Sequence, residues 1–176
     1  MRIISGKFKG QTFDTPNGHK THPMSEKIRG ALFNILGDIE GLSILDIFGG
    51  SGGISLEAAS RGASKITIVE NDRIAQRTIQ HNIARFGLED NITLISANAS
   101  SWMNKNPNEK FDIVIADPPY DKLQYDLVER LYTLLNDHGL LILSWPTKDN
   151  QIRINNLKLL DRKDYGDAQL IFYRLI

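Results

Sequence analysis

The hydrophobic positions of the chain change their spacing several times, which predicts strands that alternate with helices. Apolar runs bounded by glycine or polar residues predict strands, and apolar positions three or four residues apart predict helices. The predicted strands are Ser43–Phe48, Lys65–Glu70, Ile92–Ser96, Phe111–Ala116 and Gly139–Ser144. The predicted helices between them are Ile54–Arg61, Arg73–Phe86 and Tyr125–Asn136. Because this alternation is typical of parallel sheets covered on both faces, the expected class is α/β.

The two ends of the chain have different patterns. Near the start, two short apolar segments flank glycine turns and predict a β-hairpin, followed by a loop and a helix that Ser25 caps and that ends at Leu36. The expected apolar face of that helix is Ile28, Leu32, Ile35 and Leu36. The tail predicts an antiparallel pair of strands, Leu157–Tyr165 and Ala168–Leu175. We divide the chain into a basic hairpin and loop, residues 1–24, and one larger domain, residues 25–176.

Composition excludes several classes of protein. The 176 residues suit one soluble domain, and the absence of cysteine excludes disulfides, thiolate metal sites and cysteine nucleophiles. No apolar run is long enough to span a membrane, and the first ten residues lack the apolar core of a signal peptide, so we expect a cytoplasmic protein. The histidines lack metal-ligand spacing, so no metal is expected. They are His19, His22, His81 and His138.

Charge is unevenly distributed although the net charge is zero. Residues 1–36 hold six basic and two acidic residues, so the rest of the chain is acidic. A basic arm on an acidic body suggests a polyanionic partner, while a solvated basic hairpin without a partner is an equally good interpretation. The basic residues of this arm are Arg2, Lys7, Lys9, Lys20, Lys27 and Arg29.

Polar or glycine-rich segments follow four of the predicted strands, where parallel sheets bind ligands. The loop Asp46–Gly52 lacks the Gly-Lys-Ser/Thr of a phosphate-binding loop, and Ser55 stands where a dinucleotide-binding loop has its last glycine. Asp46 would also repel a pyrophosphate, so S-adenosylmethionine, with its ammonium and sulfonium groups, fits better. Glu70 is placed to accept the ribose hydroxyls, and Asn98 either bonds the adenine edge or is a turn residue. A glycine turn without a ligand remains an alternative.

The tetrapeptide Asp117-Pro118-Pro119-Tyr120 follows the fourth strand. Two prolines make a rigid turn, so the Asp117 carboxylate and the Pro118 carbonyl can each accept one N–H of an exocyclic amine. Tyr120 can stack on the base, which is worth about 1–3 kcal/mol. Held in this way, the amine directs its lone pair at an electrophilic methyl group. A purely structural Pro-Pro turn is the alternative.

With these motifs, the chain resembles S-adenosylmethionine-dependent methyltransferases that act on amino groups. The opening Arg2–Gly6, the stretch Pro23–Leu36 and the closing Tyr165–Asp167 make it similar to a narrower family. These are the bacterial enzymes that methylate N2 of guanine 966 in 16S ribosomal RNA. The resemblance implies a Rossmann-like sheet of seven strands, mostly parallel, with a reversed last strand.

The resemblance also implies the residues of the site. Cofactor contacts are expected from Asp46, Phe48, Gly49, Gly50, Ser51, Gly52, Glu70, Asn71, Asn98, Ala99 and Asp117. The catalytic set is Asp117, Pro118, Pro119 and Tyr120. His22 and Met24 depart from the arginine and threonine usual there, and Asn98 replaces a common acid. RNA contacts are expected from Arg2, Lys7, Lys9, Lys20, His22, Lys27 and Arg29.

A paired guanine amine is out of reach, so the base must come from a loop or flip out of its helix. The acidic body suggests a small footprint, on a partly or fully assembled 30S subunit, by a monomer. Three alternatives remain: a DNA adenine-N6 or cytosine-N4 methyltransferase, a protein-glutamine methyltransferase, and a non-catalytic RNA-binding assembly factor. The DNA enzymes usually need a separate recognition domain, and the glutamine enzymes usually have asparagine in place of Asp117.

Overall fold

A seven-stranded sheet forms the centre of the protein, in a computed structural model that describes residues 1–17, 23–149, 152 and 154–176. The strand order is β3-β2-β1-β4-β5-β7-β6. The strands are β1 Ser43–Asp46, β2 Lys65–Glu70, β3 Ile92–Ser96, β4 Phe111–Ala116, β5 Leu135–Pro146, β6 Leu157–Tyr165 and β7 Ala168–Leu175. Strands β1 to β5 are parallel to one another, and β7 runs antiparallel to both β5 and β6. The predicted α/β class with a reversed last strand is therefore confirmed.

In the described residues, five α-helices pack on the two faces of this sheet: α1 Glu26–Leu36, α2 Gly53–Ser60, α3 Arg73–Phe86, α4 Ala99–Lys105 and α5 Tyr125–Arg130. Side-chain caps fix where several begin. The Ser25 hydroxyl accepts the Ile28 N–H at the start of α1, as the sequence predicted, and Asp72 accepts two N–H groups at the start of α3. Gly87, in the left-handed conformation at φ 62°, ends α3. No helix in the described ranges has both the length and the apolar character to cross a membrane.

Two apolar layers hold the sheet between the helices. Leu32 of α1, Ile54 of α2 and Ile79 of α3 share one layer, while Trp102 of α4 and Leu127 of α5 belong to the other. The N-terminal segment, residues 1–17, adds its own apolar side chains to the first layer: Ile3, Phe8 and Phe13. Its two arms meet at one antiparallel bridge, Arg2–Thr12, so the predicted hairpin forms as a bridge rather than as two regular strands.

Three local predictions were wrong. The helix predicted to reach Asn136 ends at Arg130, continues as a 3₁₀ turn and gives way to β5 at Leu135. Leu131 and Leu134, three residues apart, bury their side chains from that 3₁₀ turn. Ile35 is 38% exposed, because Phe33 takes the buried place on α1. The short helix α4 was not predicted.

Candidate active site

A cavity of about 1020 Å³ opens at the carboxyl ends of β1, β2, β3 and β4, which is where the sequence placed the ligand. The loops after these four strands form most of its wall. The predicted site residues that line it are Arg29, Phe48, Gly49, Gly50, Ser51, Glu70, Asn71, Asn98, Ala99, Asp117, Pro118, Pro119 and Tyr120. Asp46 and Gly52 lie behind the lining. The structure thus brings the predicted glycine loop, the acidic strand ends and the Pro-Pro turn around one space.

Close contacts or a positive φ require glycine at three positions of the loop after β1. A Cβ added to Gly49 would lie 2.4 Å from Cγ2 of Ile68, closer than real carbon atoms approach. Gly52 has φ 74°, and its added Cβ would lie 3.1 Å from Ile79. Gly50 also has a positive φ, 54°. The loop therefore passes close to β2 and presents bare backbone to the cavity.

Glu70 at the end of β2 ties this loop to the start of α3. Its Oε2 accepts the N–H of Gly50 at 2.6 Å, and its Oε1 accepts the N–H groups of Asn71 and Asp72 at 2.7 and 2.6 Å. Each carboxylate oxygen has two acceptor positions, so these bonds fill Oε1 and leave one position on Oε2. A ligand hydroxyl has one direct place on this carboxylate.

Three carboxyl groups meet at the ends of adjacent strands: Glu70 after β2, Asp46 after β1 and Asp117 after β4. Asp46 is completely buried, its Oδ2 accepts the Ser55 hydroxyl at 2.8 Å, and its Oδ1 has no hydrogen-bond partner among the described residues. Burial, followed by the nearby charges of Asp117 and Glu70, raises the pKa of Asp46 to about 7. Asp46 is therefore only partly ionised near neutral pH, and the negative charge at the base of the cavity, which favours a cationic ligand, increases as the pH rises through about 7.

Asp117 and Tyr120 are linked through Ser144, a buried residue of β5. The Tyr120 and Ser144 hydroxyl oxygens are 2.7 Å apart. Burial raises the pKa of Asp117 to about 6, and the Ser144 hydroxyl opposes this shift. Burial also raises the pKa of Tyr120 to about 12, so its ring is neutral at any working pH. The arrangement holds an ionised carboxylate beside a fixed, half-exposed aromatic ring.

Sequence reasoning missed Ser144, which lines the cavity. Ser144 lies at the carboxyl end of a predicted strand. The same position identified the site residues after the other four predicted strands, so this pattern could have identified Ser144 as well. Met24, noted in the sequence only as a departure from the family, also lines the cavity. Asn98 caps α4, where its side chain accepts the Ser101 N–H at 3.3 Å. Asn98 thus has a local structural role, as a helix cap, and it also lines the cavity where an adenine contact was expected.

The basic residues expected to contact RNA divide into three groups. Arg2, Lys7, Lys9 and Lys27 are exposed, and Arg2 pairs with Glu26 at 3.3 Å. Lys20 and His22 lie outside the described residues. Arg29 corrects the expectation of a surface contact, because only 1% of it is exposed and it lies 3.7 Å from the buried Glu57. Its Nη2 also donates to the backbone oxygen of Arg2, so it fastens the N-terminal segment to α1.

The residues of this cavity fit the cofactor that the sequence suggested. An unpaired buried carboxylate oxygen on Asp46 and the neighbouring acids suit a cationic methionyl group. The loop at Gly49 admits close approach, and Glu70 has one acceptor position for a ribose hydroxyl. Within the described ranges, no group of three or more histidine, aspartate or glutamate side chains is arranged to hold a metal ion.

Comparison with known proteins agrees with this geometry. The sequence model of the family described as "Conserved hypothetical protein 95" matches residues 1–174. A Ribosomal RNA small subunit methyltransferase D of Buchnera aphidicola is 32% identical over 89% of this chain and 78% of its own length. The protein of that name in Escherichia coli is 33% identical over 80% of this chain and 69% of its own length. A solved structure, "Putative methyltransferase yhhF from Escherichia coli", superposes with a TM-score of 0.87 at 27% identity, covering 99% and 97% of the two chains.

Proposed function

Since the chain belongs to the Conserved hypothetical protein 95 family, we propose that it transfers a methyl group from S-adenosylmethionine to the N2 amine of a guanine in 16S ribosomal RNA. One observation carries the chemistry. The negative base of the cavity at Asp46 and Glu70 adjoins the turn that presents the Asp117 carboxylate and the Tyr120 ring. A site for a cation and a site for a planar amine therefore share one space. The substrate rests on the names of the relatives.

The cofactor is assigned to the half of the cavity at β1, β2 and β3. Asp46 and the backbone of Gly49 to Gly52 would hold the methionyl part, and the free acceptor position of Glu70 would take a ribose hydroxyl. Asn98 and Ala99 at the start of α4 would border the adenine. When bound, the cofactor supplies a methyl group on a sulfonium and leaves as S-adenosylhomocysteine.

The target base is assigned to the half at β4 and β5. The Asp117 carboxylate and the Pro118 carbonyl would each accept one N–H of the guanine amine, which turns the nitrogen lone pair towards the methyl group. The new N–C bond forms as the S–C bond breaks, and one amine proton then leaves to the Asp117 carboxylate or to water. The pKa of Asp117, about 6, leaves it ionised and able to accept near neutral pH. Tyr120, held by Ser144, would stack on the ring.

The exposed bases of residues 1–24 are proposed to contact the ribosomal RNA, with Lys27 extending them. We also propose that the protein acts as a monomer in the cytoplasm. The acidic remainder of the chain favours a small footprint on a partly or fully assembled 30S subunit.

Methyl incorporation tests this function. The protein is incubated with S-adenosylmethionine labelled in its methyl group and with 30S subunits or protein-free 16S RNA that lack the modification. Label at one guanine of 16S RNA, stronger on the 30S particle, is the expected result. Label on adenine, on DNA or on a protein amide would contradict the proposed substrate. Cofactor binding without transfer to any of these would favour a non-catalytic RNA-binding factor.

We expect cofactor affinity to fall as pH decreases through about 7, because Asp46 gains a proton and the negative charge beneath the ligand is lost. S-adenosylhomocysteine should bind up to about fourfold more weakly at about pH 6.5 than at about pH 8, in proportion to the ionised fraction of Asp46. Titration calorimetry at the two pH values measures this. Asp46→Asn should bind S-adenosylhomocysteine more weakly than the wild type, with almost the same affinity at the two pH values. The wild-type pH dependence persisting in that variant would assign it to another group.

Ser144→Ala should move the acidic limb of the pH–kcat profile to higher pH. The Ser144 hydroxyl opposes the raised pKa of Asp117, so removing it raises that pKa above about 6. It also frees the Tyr120 hydroxyl, so kcat near neutral pH should fall several-fold while S-adenosylhomocysteine affinity is kept. Tyr120→Phe is the matched control, since it keeps the Ser144 hydroxyl beside Asp117 and should show no upward shift. A limb that stays in place in Ser144→Ala would show that Ser144 does not position this carboxylate.

A further inference from the structure

One face of α3 is basic along its whole length. Arg73, Arg77, His81 and Arg85 recur at every fourth position, and all four are exposed. The helix contains no acidic residue, in a chain whose acidic and basic residues are equal in number. A four-residue spacing keeps side chains on one side of a helix, about 6 Å apart along its axis. We call these four residues the α3 basic surface.

Few carboxylates neutralise this surface. His81 and Arg85 share Asp14, at 3.4 and 3.8 Å, and both contacts are largely exposed. In the ranges that the structure describes, no carboxylate lies within ion-pair distance of Arg73 or Arg77. Since three arginines face one aspartate, the surface keeps a net positive charge. Exposed contacts of this kind are also weak, so the arginines are available to another partner.

The α3 basic surface lies between the basic side chains of the N-terminal segment and the cavity. Asn71 and Asp72, just before α3, line the cavity, so Arg73 stands at its edge. At the other end, Phe86 packs edge-to-face on Phe8 with ring centroids 5.2 Å apart. Lys7 lies over the Phe8 ring. The N-terminal segment therefore packs against the end of α3 that is farther from the cavity.

Lys7 is anchored away from the cavity. The backbone N–H of Lys7 donates to Ser60 at the end of α2, a helix that begins in the glycine loop and runs away from the cavity. An RNA strand bound only at Lys7 would still have to extend along α3, about 18 Å from Arg73 to Arg85, to reach the cavity. Between these points, Arg77 and His81 line a second cleft of about 570 Å³, together with Thr78 and with the Asp14 that His81 and Arg85 share.

We propose that the α3 basic surface binds the phosphate backbone of the RNA strand that flanks the target guanine and leads it to the cavity. This inference rests on the proposed function. Arginine suits phosphate because its planar guanidinium donates two parallel hydrogen bonds and stays charged. Repeated positive charges along one line match a polyanion of regular charge spacing better than a folded acidic protein.

The test compares two double variants. One removes two charges from the α3 basic surface, and the control removes two charges from another part of the protein. Arg73→Gln/Arg77→Gln is compared with Lys158→Gln/Arg174→Gln. Lys158 and Arg174 are exposed basic residues paired across β6 and β7, and they lie at the end of β7 opposite the cavity-lining Ala168. Binding to a protein-free 16S RNA fragment containing the target is measured over a range of salt concentrations. The first variant should bind about tenfold more weakly near 0.1 M salt, with a salt slope smaller by about 1 to 2, as expected for one or two lost phosphate contacts.

Its methylation KM should rise while kcat and S-adenosylhomocysteine affinity stay at wild-type values, and the control variant should match the wild type throughout. Wild-type binding and salt slope in Arg73→Gln/Arg77→Gln would overturn the inference and leave the proposed function intact. Weakened binding to 30S particles with unchanged binding to protein-free RNA would also overturn it, in favour of an acidic protein partner. Failure of the wild type to methylate 16S RNA, either protein-free or in 30S subunits, would overturn the proposed function and this inference together.

Discussion

Asp117→Ala is expected to lower kcat for methyl transfer at least about a hundredfold. The substitution removes the carboxylate that holds one N–H of the target amine, so the lone pair is no longer directed at the methyl group. Asp117 is the charged group of the turn beside Tyr120, and at a pKa of about 6 it is ionised when the enzyme works. Single-turnover transfer to 30S subunits separates this chemical step from binding.

Asp121→Ala is the matched control for Asp117→Ala. Asp121 also lines the cavity, but its side chain is exposed and lies beyond the Pro-Pro turn. Its loss should change kcat less than about threefold, since an exposed carboxylate is screened by water. S-adenosylhomocysteine should still bind Asp117→Ala, which shows that the cavity is intact. A kcat for Asp117→Ala within tenfold of the wild type would remove Asp117 from the catalytic set.

Glu57→Ala is expected to destabilise the fold by about 3–5 kcal/mol, because it leaves the buried Arg29 without a compensating charge. Glu57 is fully buried on α2 and accepts the backbone N–H groups of Ile4 and Ser5 at 2.8 and 3.0 Å. It also accepts Nε of Arg61 at 2.9 Å. One carboxylate thus fastens residues 1–17 to the sheet domain. Urea denaturation of wild type and variant measures the free energy of unfolding.

Glu26→Ala provides the comparison, since Glu26 forms the exposed pair with Arg2. Pairs of this kind contribute about 0–1 kcal/mol, so its loss should be small. Adding Arg29→Met to Glu57→Ala should recover part of the lost stability, because the uncompensated charge is removed with its partner. A loss below about 1 kcal/mol in Glu57→Ala would mean that the pair does not hold the N-terminal segment in place.

Sequence patterns predicted the fold well where one face or both faces of an element are buried. The strand Phe111–Ala116 was predicted with its exact bounds, because a continuous apolar run ends at the prolines. The helix α3 was also exact, since its apolar period and its terminal Gly87 agree. The helix α4 was not predicted because it is only seven residues long. Its buried residues, Ala99, Trp102 and Met103, have helical spacing but cover little more than one turn, which is too short for the period to be recognised.

The site was predictable where it follows strand ends, and less so where it depends on distant contacts. Asp117 and Glu70 were identified because each closes a buried strand. Arg29 was misplaced on the surface because its partner Glu57 lies on another helix, and no local pattern reveals such a pair. The α3 basic surface was overlooked because the sequence argument counted charge only in the N-terminal arm. Its arginines are spread over a region of acidic net charge.

The most direct test of the account is the chemical identity of the methylated nucleoside. 30S subunits that lack the modification are incubated with the protein and methyl-labelled S-adenosylmethionine, and the 16S RNA is digested to nucleosides and separated by chromatography. The account predicts label in N2-methylguanosine, at one position by primer extension, and its loss in Asp117→Ala. Label in N6-methyladenosine, or N2-methylguanosine that persists in Asp117→Ala, would contradict it.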